Sequence, residues 1–339
     1  MTKIIQVKIE QVVNIVADIG GTNIRLAIID NAQQLTKIAS FQCRDFDSLA
    51  AVLAHYFAEQ KLSNKTINAC LAIACPVEND QVVMTNMSWS FSKQALKDTL
   101  KLNNLWLIND YTAIAHAIPQ LTHEQKIQIG GGNTVVNKPI AVCGPGTGLG
   151  VANLVNIDDK WVCLSGEGGH ADFAPVNEEQ VQLLQFLFTK YHHVSTEQLL
   201  SGLGLEQIFQ ALIAINSLDI KPLSATEISQ NAINNSCETS LLALQHFCKI
   251  LGSFAGNLAL TGGSFGGVYI AGGIVPRFIE FFKNSGFRKC FEQKGRFSNY
   301  NQNIPTFVIT ESQPGLLGAC AYLCQQLSIT RQVSQPIMK

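Results

Sequence analysis

The sequence predicts an α/β fold built from two similar halves, and three observations carry that prediction. Strand-like and helix-like segments alternate along nearly all of the 339 residues, the signature of sheets layered with helices. A strand, Gly-Thr turn, strand unit occurs twice, as NIVADIGGTNIRLAIID and PIAVCGPGTGLGVANLV, about 125 residues apart. Each reads as a hairpin whose turn offers backbone N–H groups. Finally, 47% of residues are hydrophobic and the net charge is −1, which excludes global disorder and allows a sizeable core in each half.

The elements follow in order. Residues 12–19 and 24–30 form the first hairpin, around Gly20-Gly21-Thr22-Asn23. Asp47 is placed to cap a helix over 48–60, where Phe46, Leu49, Leu53 and Phe57 recur at helical spacing. NACLAIAC (68–75) is a buried strand stopped by Pro76, and Ser92 caps a helix over 93–101. LWLI (105–108) is a strand, followed by a helix over 111–118 that ends at Pro119. The second hairpin begins with a strand at 139–144. Amphipathic helices follow at 178–190, 196–213 and 240–260, then strands at 268–271 and 307–310 and a closing helix over 315–327. Strand–helix alternation of this kind implies a mostly parallel sheet.

Composition excludes several functions. With 24 Lys+Arg against 25 Asp+Glu there is no basic excess to neutralise a nucleic acid. None of the ten cysteines forms a C-x-x-C pair and most sit in apolar runs, which fits reduced thiols in the cytoplasm. The N-terminus MTKIIQVKIE carries charges inside its apolar pattern, unlike a signal peptide. Between Lys249 and Arg277 lie 27 uncharged residues, long enough to span a bilayer, but they hold eight glycines. A buried helix, loop and short strand account for them better than a membrane span.

The candidate site residues cluster at turns. Two Gly-Thr turns on matching strands suit phosphate groups, because glycine lets the backbone approach and present its N–H groups. Neither is a Walker A loop, since the chain contains no Gly-Lys dipeptide, and neither is a dinucleotide fingerprint. Asp18 enters the first turn and reads either as a contact to Mg²⁺ or as a turn residue. Gly272-Gly273, after a strand, would let a flat ring lie on the backbone. Asn109-Asp110 follows a strand and opens a helix, so each is a ligand contact or a helix cap. Glu167, His170 and Asp172 share a Gly-rich loop whose acceptors and donors suit vicinal hydroxyls better than a metal. Glu197 falls inside an apparent Ser195–Gln198 capping box, where local spacing makes it a favourable first-turn charge.

DIGGTNIRLAI, TNMSW (85–89), INDYTAIAHAIP, GPGTGLGVANLV, GEGGHADFAP, STEQLLSG, GGSFGGVYIAGGIVPRF and QPGLLGA occur in this order. Together, from about residue 12 to 327, they resemble the bacterial glucokinases of the hexokinase/actin-like ATPase superfamily. The repressor/open-reading-frame/kinase branch is a poorer likeness, because its Cys-rich zinc motif is absent. About ten residues precede the first motif, with no role assigned. The resemblance implies an actin-like (ribonuclease H-like) two-lobed fold with a cleft between a smaller domain, 1–115 plus 312–339, and a larger one, 116–311. It implies Asp110 as catalytic base, with Asn109, Glu167, His170 and Glu197 as sugar contacts. Gly20, Gly21 and Thr22, with Thr147 and Gly148, would be the phosphate turns, Gly272 and Gly273 the adenosine end, and Asp18 the residue facing the Mg²⁺ of ATP. The expected activity is ATP-dependent phosphorylation of glucose by a cytoplasmic homodimer, with no nucleic-acid or membrane partner. Two alternatives stay open, a related hexose or amino-sugar kinase and a non-catalytic nucleotide- or sugar-binding protein. The donor, ATP or polyphosphate or ADP, is also open.

Overall fold

The computed structural model describes residues 12–84 and 87–333. The first eleven residues, and Thr85 and Asn86 of the TNMSW motif, lie outside them. The chain divides into two compact units, one running to Gln120 and resuming at Ser312, the other Leu121–Glu311.

The first unit runs β1 (Val12–Ile19), β2 (Asn23–Ile29), β3 (Leu35–Gln42), α1 (Leu49–Glu59), β4 (Thr66–Ile73), β5 (Gln81–Val83), β6 (Ser90–Ser92), α2 (Lys93–Thr99), β7 (Asn104–Asn109) and α3 (Asp110–Ala117). The second contains β8 (Lys126–Ile129), β9 (Ile140–Pro145), β10 (Leu149–Ile157), β11 (Lys160–Gly166), α4 (Glu178–Phe188), α5 (Gly202–Ile215), α6 (Ala225–Ile233) and α7 (Glu238–Gly262). It ends with β12 (Val268–Ile270), α8 (Ile279–Lys283), α9 (Phe287–Glu292), α10 (Ser298–Gln302) and β13 (Thr306–Ile309). The closing helix α11 (Pro314–Val333) returns to the first unit.

The two main sheets share a strand plan. The first is ordered β3-β2-β1-β4-β7, and the second is β11-β10-β9-β12-β13 with β8 added at the edge. In each, three strands meander antiparallel and two more run parallel to the first. This is the structural counterpart of the repeated sequence unit. It also corrects the expectation of mostly parallel sheets, because the meanders, with β8 antiparallel to β13, make half or more of the pairings antiparallel. The outer strands β3 and β11 were not expected from the sequence. Both are half exposed and lack a continuous apolar run.

Alternation along β1 and β4 decides what each face meets. Ile15, Ala17 and Ile19 pack with Ala69, Leu71 and Ile73 toward Leu49, Val52, Leu53 and Tyr56 of α1. Val16, Cys70 and Ala72 face the other way, onto Ala113 of α3 and Leu316, Ala319 and Leu323 of α11. Burial on both faces explains the unbroken apolar run NACLAIAC. Asp18, two residues beyond Val16, belongs to the α3/α11 face.

Three helical segments differ from expectation for local reasons. Ser48, not Asp47, caps α1 by accepting from the Ala51 N–H. The expected helix 196–213 is broken. A short 3₁₀ turn spans Thr196–Gln198, and Ser201 then caps α5 through the Gly204 N–H at 3.0 Å. Helix α6 was not foreseen, although Ser224 and Glu227 form a capping box at its start. The uncharged stretch after Lys249 divides into the end of α7, a loop and β12. Among the described residues no helix is long and apolar enough to cross a membrane. All ten cysteines are free.

Candidate active site

In the first unit the expected residues gather at one edge of the sheet. Strands β1, β4 and β7 are mutually parallel, with Ile19 opposite Ile73 and Ile73 opposite Asn109. The turn after β1 and the start of α3 after β7 therefore emerge at the same carboxyl edge, where open α/β sheets bind ligands. The turn is closed by the Gly20 N–H donating to the Asn23 carbonyl at 3.0 Å and by the Cys43 N–H donating to Thr22 at 2.9 Å. Gly21 is half-buried and Thr22 exposed. Their own amides have no acceptor among the described residues, which leaves them available to an anion.

Both readings of Asn109-Asp110 hold geometrically. The Asn109 side chain is the N-cap of α3, and both Asn109 Oδ1 and Asp110 Oδ1 accept from the Tyr111 N–H, at 2.9 and 3.0 Å. That hold fixes the Asp110 carboxylate at the helix start, half-buried. Its charge is felt next door. Burial, reinforced by the Asp110 and Glu78 carboxylates, pushes the Cys75 thiol up to about 11.

Asp18 lies against the first turn of α11. A Cβ on Gly315 would sit 2.6 Å from the Asp18 carboxyl carbon, so any side chain there would displace the carboxylate. Burial raises the pKa of Asp18, and Arg25, whose Nη1 is 3.6 Å from Oδ2, opposes the rise. Three residues further along α11, a Cβ on Gly318 would meet the Ala113 carbonyl at 1.6 Å. Helix α11 thus presses on both Asp18 and the helix that Asp110 begins. Sequence reasoning missed these two glycines as site residues. Their signal was the i, i+3 spacing within QPGLLGA, which puts both on one helix face.

In the second unit the hairpin β9–β10 turns through Gly146, Thr147 and Gly148, with the Gly146 N–H donating to the Gly148 carbonyl at 2.8 Å. Strand β12 runs parallel to β9, which brings Gly272 beside this turn. Gly272 has φ +83°, and a Cβ would lie 2.4 Å from the Pro145 carbonyl, so both backbone and space require glycine. Gly273 faces open space.

The loop after β11 carries Glu167 and His170 at the two ends of one 3₁₀ turn, closed by the His170 N–H donating to Glu167 O at 3.0 Å. Both side chains are exposed. Segments 171–173 and 194–196 are zipped together by the Phe173 N–H on the Val194 carbonyl and the Thr196 N–H on the Ala171 carbonyl, each 2.9 Å. This zipper delivers Glu197 to the site. The Ser195–Gln198 capping box is real, yet the Glu197 carboxylate has a second task. Its Oε2 accepts from the Leu149 N–H at 2.7 Å, and its Oε1 lies 3.9 Å from His170 Nε2. Gly169 meets the same residue, since a Cβ there would come 2.0 Å from the Leu149 carbonyl. The Gly146–Gly148 turn and the Glu167–His170 loop are thereby joined at Leu149. Asp172, from the same loop, turns away to His193, 2.7 Å distant.

The donor chemistry fits Mg²⁺ with few protein ligands. Among the described residues no group of three or more His, Cys, Asp or Glu could hold a metal, while Asp18 offers a hard carboxylate beside a phosphate-type turn. Mg²⁺ commonly takes one or two carboxylates and completes its shell with phosphate and water.

The family model described as Glucokinase matches residues 15–326. A glucokinase of Colwellia psychrerythraea is 61% identical over 320 residues, covering 93% of this chain and 97% of that protein. One from Photorhabdus laumondii is 50% identical over 317 residues, covering 93% and 98%. The crystal structure of a glucokinase from an Antarctic psychrotroph superposes with a TM-score of 0.85 at 39% identity, covering 92% of this chain and 99% of that one. Two units of matching strand plan, paired Gly-Thr turns and a match spanning almost the whole length lead to one conclusion: the chain belongs to the glucokinase family.

Proposed function

We propose that this protein transfers the γ-phosphoryl group of ATP to the 6-hydroxyl of glucose. The observation that carries the reading is the junction at Leu149, where an acid suited to sugar hydroxyls, Glu197, is hydrogen-bonded directly to the backbone of a phosphate-type turn. A protein that only bound nucleotide would have no use for Glu167, His170 and Glu197 beside that turn.

Phosphoryl transfer depends on positioning and charge stabilisation more than on covalent chemistry. In this reading Glu167, His170 and Glu197 accept from and donate to the sugar hydroxyls, and Asn109 adds a further contact through its free amide nitrogen. Asp110 accepts the proton of the attacking hydroxyl. The amides of Gly21 and Thr22, with the turn at Thr147 and Gly148, hold phosphate oxygens, and the open backbone at Gly273 beside Gly272 takes the adenosine. Asp18 would hold Mg²⁺, which when bound neutralises charge on the phosphate oxygens. Ten free cysteines support a reducing, cytoplasmic setting, and a two-fold dimer is the commonest assembly for such chains, testable by sedimentation.

The deciding experiment couples glucose 6-phosphate formation to NADPH production, with and without glucose, for the wild type and Asp110→Asn. A positioned base contributes about 10²–10⁴-fold, so the variant should lose at least about 100-fold in kcat while still binding glucose. Near-native turnover would remove Asp110 from its role, and ATP consumption independent of sugar would remove the reading itself.

A further inference from the structure

Strand β3 ends at Gln42, and the residue after it, Cys43, reaches back to the first Gly-Thr turn. Its backbone N–H donates to the Thr22 carbonyl at 2.9 Å. Its thiol donates to the Gly20 carbonyl at 3.5 Å. Next to it, the Gln42 side-chain amide donates to Asn23 Oδ1. The end of β3 therefore clamps the turn at Gly20, Thr22 and Asn23, and Cys43 supplies two of the three bonds. Cys43 is 7% exposed. Burial raises its pKa, so the sulfur keeps its proton and remains a donor.

The Gly20 carbonyl and the Gly21 N–H belong to one planar trans peptide, so they point in opposite directions. Drawing that carbonyl toward Cys43 turns the Gly21 N–H away from it. That amide is one of the two that no backbone carbonyl of the described residues takes up. A Gly–Gly peptide is the easiest to reverse. Reversal carries φ of its second residue into the positive region, which glycine enters freely and other residues rarely do. Neither Gly20 nor Gly21 has a positive φ here, so the unreversed form is the one the thiol holds. We infer that Cys43 is a positioning residue for the nucleotide: its thiol fixes the Gly20–Gly21 peptide so that the Gly21 N–H faces a phosphate oxygen. This role rests on the nucleotide reading of the turn given above. It extends that reading to a side chain about twenty residues further along the chain, on a different strand end.

Steady-state kinetics of the wild type, Cys43→Ala and Cys43→Ser test the role, together with calorimetry of a non-hydrolysable ATP analogue with Mg²⁺ in the absence of glucose. Losing one neutral hydrogen bond changes an equilibrium by about 2- to 10-fold. Cys43→Ala should raise the KM for Mg-ATP and the Kd of the analogue by that factor, with the KM for glucose unchanged. Cys43→Ser keeps a donor on a shorter bond and should fall between alanine and the wild type. In the wild type, the analogue should shift the amide proton resonance of Gly21, a readout that depends on no substitution. Unchanged nucleotide binding in Cys43→Ala, an equal rise in the KM for glucose, serine no better than alanine, or an unmoved Gly21 resonance would each overturn the inference. Analogue binding that follows the predicted order in a protein unable to phosphorylate glucose would support it and overturn the sugar reading alone. A wild type that binds no nucleotide would overturn the nucleotide reading of the turn, and the role of Cys43 with it.

Discussion

Replacing Glu197 tests the junction at Leu149 most directly. The Leu149 residue is 4% exposed, and its N–H donates to Glu197 Oε2 at 2.7 Å. Glu197→Ala leaves that donor buried and unpaired. Loss of a hydrogen bond to a charged acceptor costs about 1.5–3 kcal/mol, and the 28% exposure of the Glu197 side chain places the expected loss in the lower half, about 2 kcal/mol. For a unit the size of Leu121–Glu311, each kcal/mol lowers Tm by about 2–4 °C, so a drop of about 4–8 °C is expected by calorimetry. Glu197→Gln keeps an oxygen for the Leu149 N–H and should recover most of the stability. The two variants should also part kinetically. Glutamine should raise chiefly the KM for glucose, whereas alanine should raise the KM for ATP as well, because Leu149 closes the Gly146–Gly148 turn. Equal destabilisation by both substitutions, or a wild-type Tm for Glu197→Ala, would refute the argument.

Other perturbations have equally definite outcomes. Gly315→Ala pushes into the Asp18 carboxyl and should raise the apparent KM for Mg-ATP several-fold, with the KM for glucose little changed; the reverse pattern would detach Asp18 from the nucleotide. Gly318→Ala drives α11 off the Ala113 carbonyl and should destabilise the first unit by at least about 1–3 kcal/mol, measured by urea denaturation; unchanged stability would show that the helices part freely. His116 of α3 is 4% exposed and packs edge-on to Tyr322, and burial holds its imidazole down at about 4 against an ordinary 6.5. The unfolded chain thus takes up the proton first. The folded state keeps its full stability above pH 6.5 and loses it as pH falls toward 4, by about 3 kcal/mol in all. His116→Phe should flatten that part of the pH–stability curve, and an unaltered slope would contradict it.

The sequence was informative where chemistry and position coincide locally. The hairpin turns could be recognised because glycine and threonine mark them, and β1 and β4 because burial on both faces leaves a solid apolar run. Glu197 illustrates the limit. Nearby residues explain it fully as a first-turn acid, and that capping box exists. Its other partner, Leu149, lies 48 residues away, and no local pattern announces such a contact. Gly315 and Gly318 were hidden likewise, since the groups they accommodate, Asp18 and Ala113, come from the far end of the chain. Strands β3 and β11 were missed because they are defined by pairing with a neighbour rather than by their own residues. Helix α6 is marked by the Ser224–Glu227 capping box, but its polar sequence, ATEISQNAI, offers little of the apolar periodicity that announces a helix.

The placement of α11 bears on how the protein is made. Val16, Cys70, Ala72 and Ala113 are covered by Leu316, Ala319 and Leu323, which leave the ribosome about two hundred residues or more after the groups they cover. At roughly 5–20 residues per second, synthesis of Leu121–Glu311 keeps that apolar flank waiting for roughly ten to forty seconds. The unit Leu121–Glu311 can mature as it emerges, but the first unit stays open until α11 docks. Nascent chains stalled before residue 312 should therefore bind holdase chaperones through the uncovered flank, and full-length release should free them.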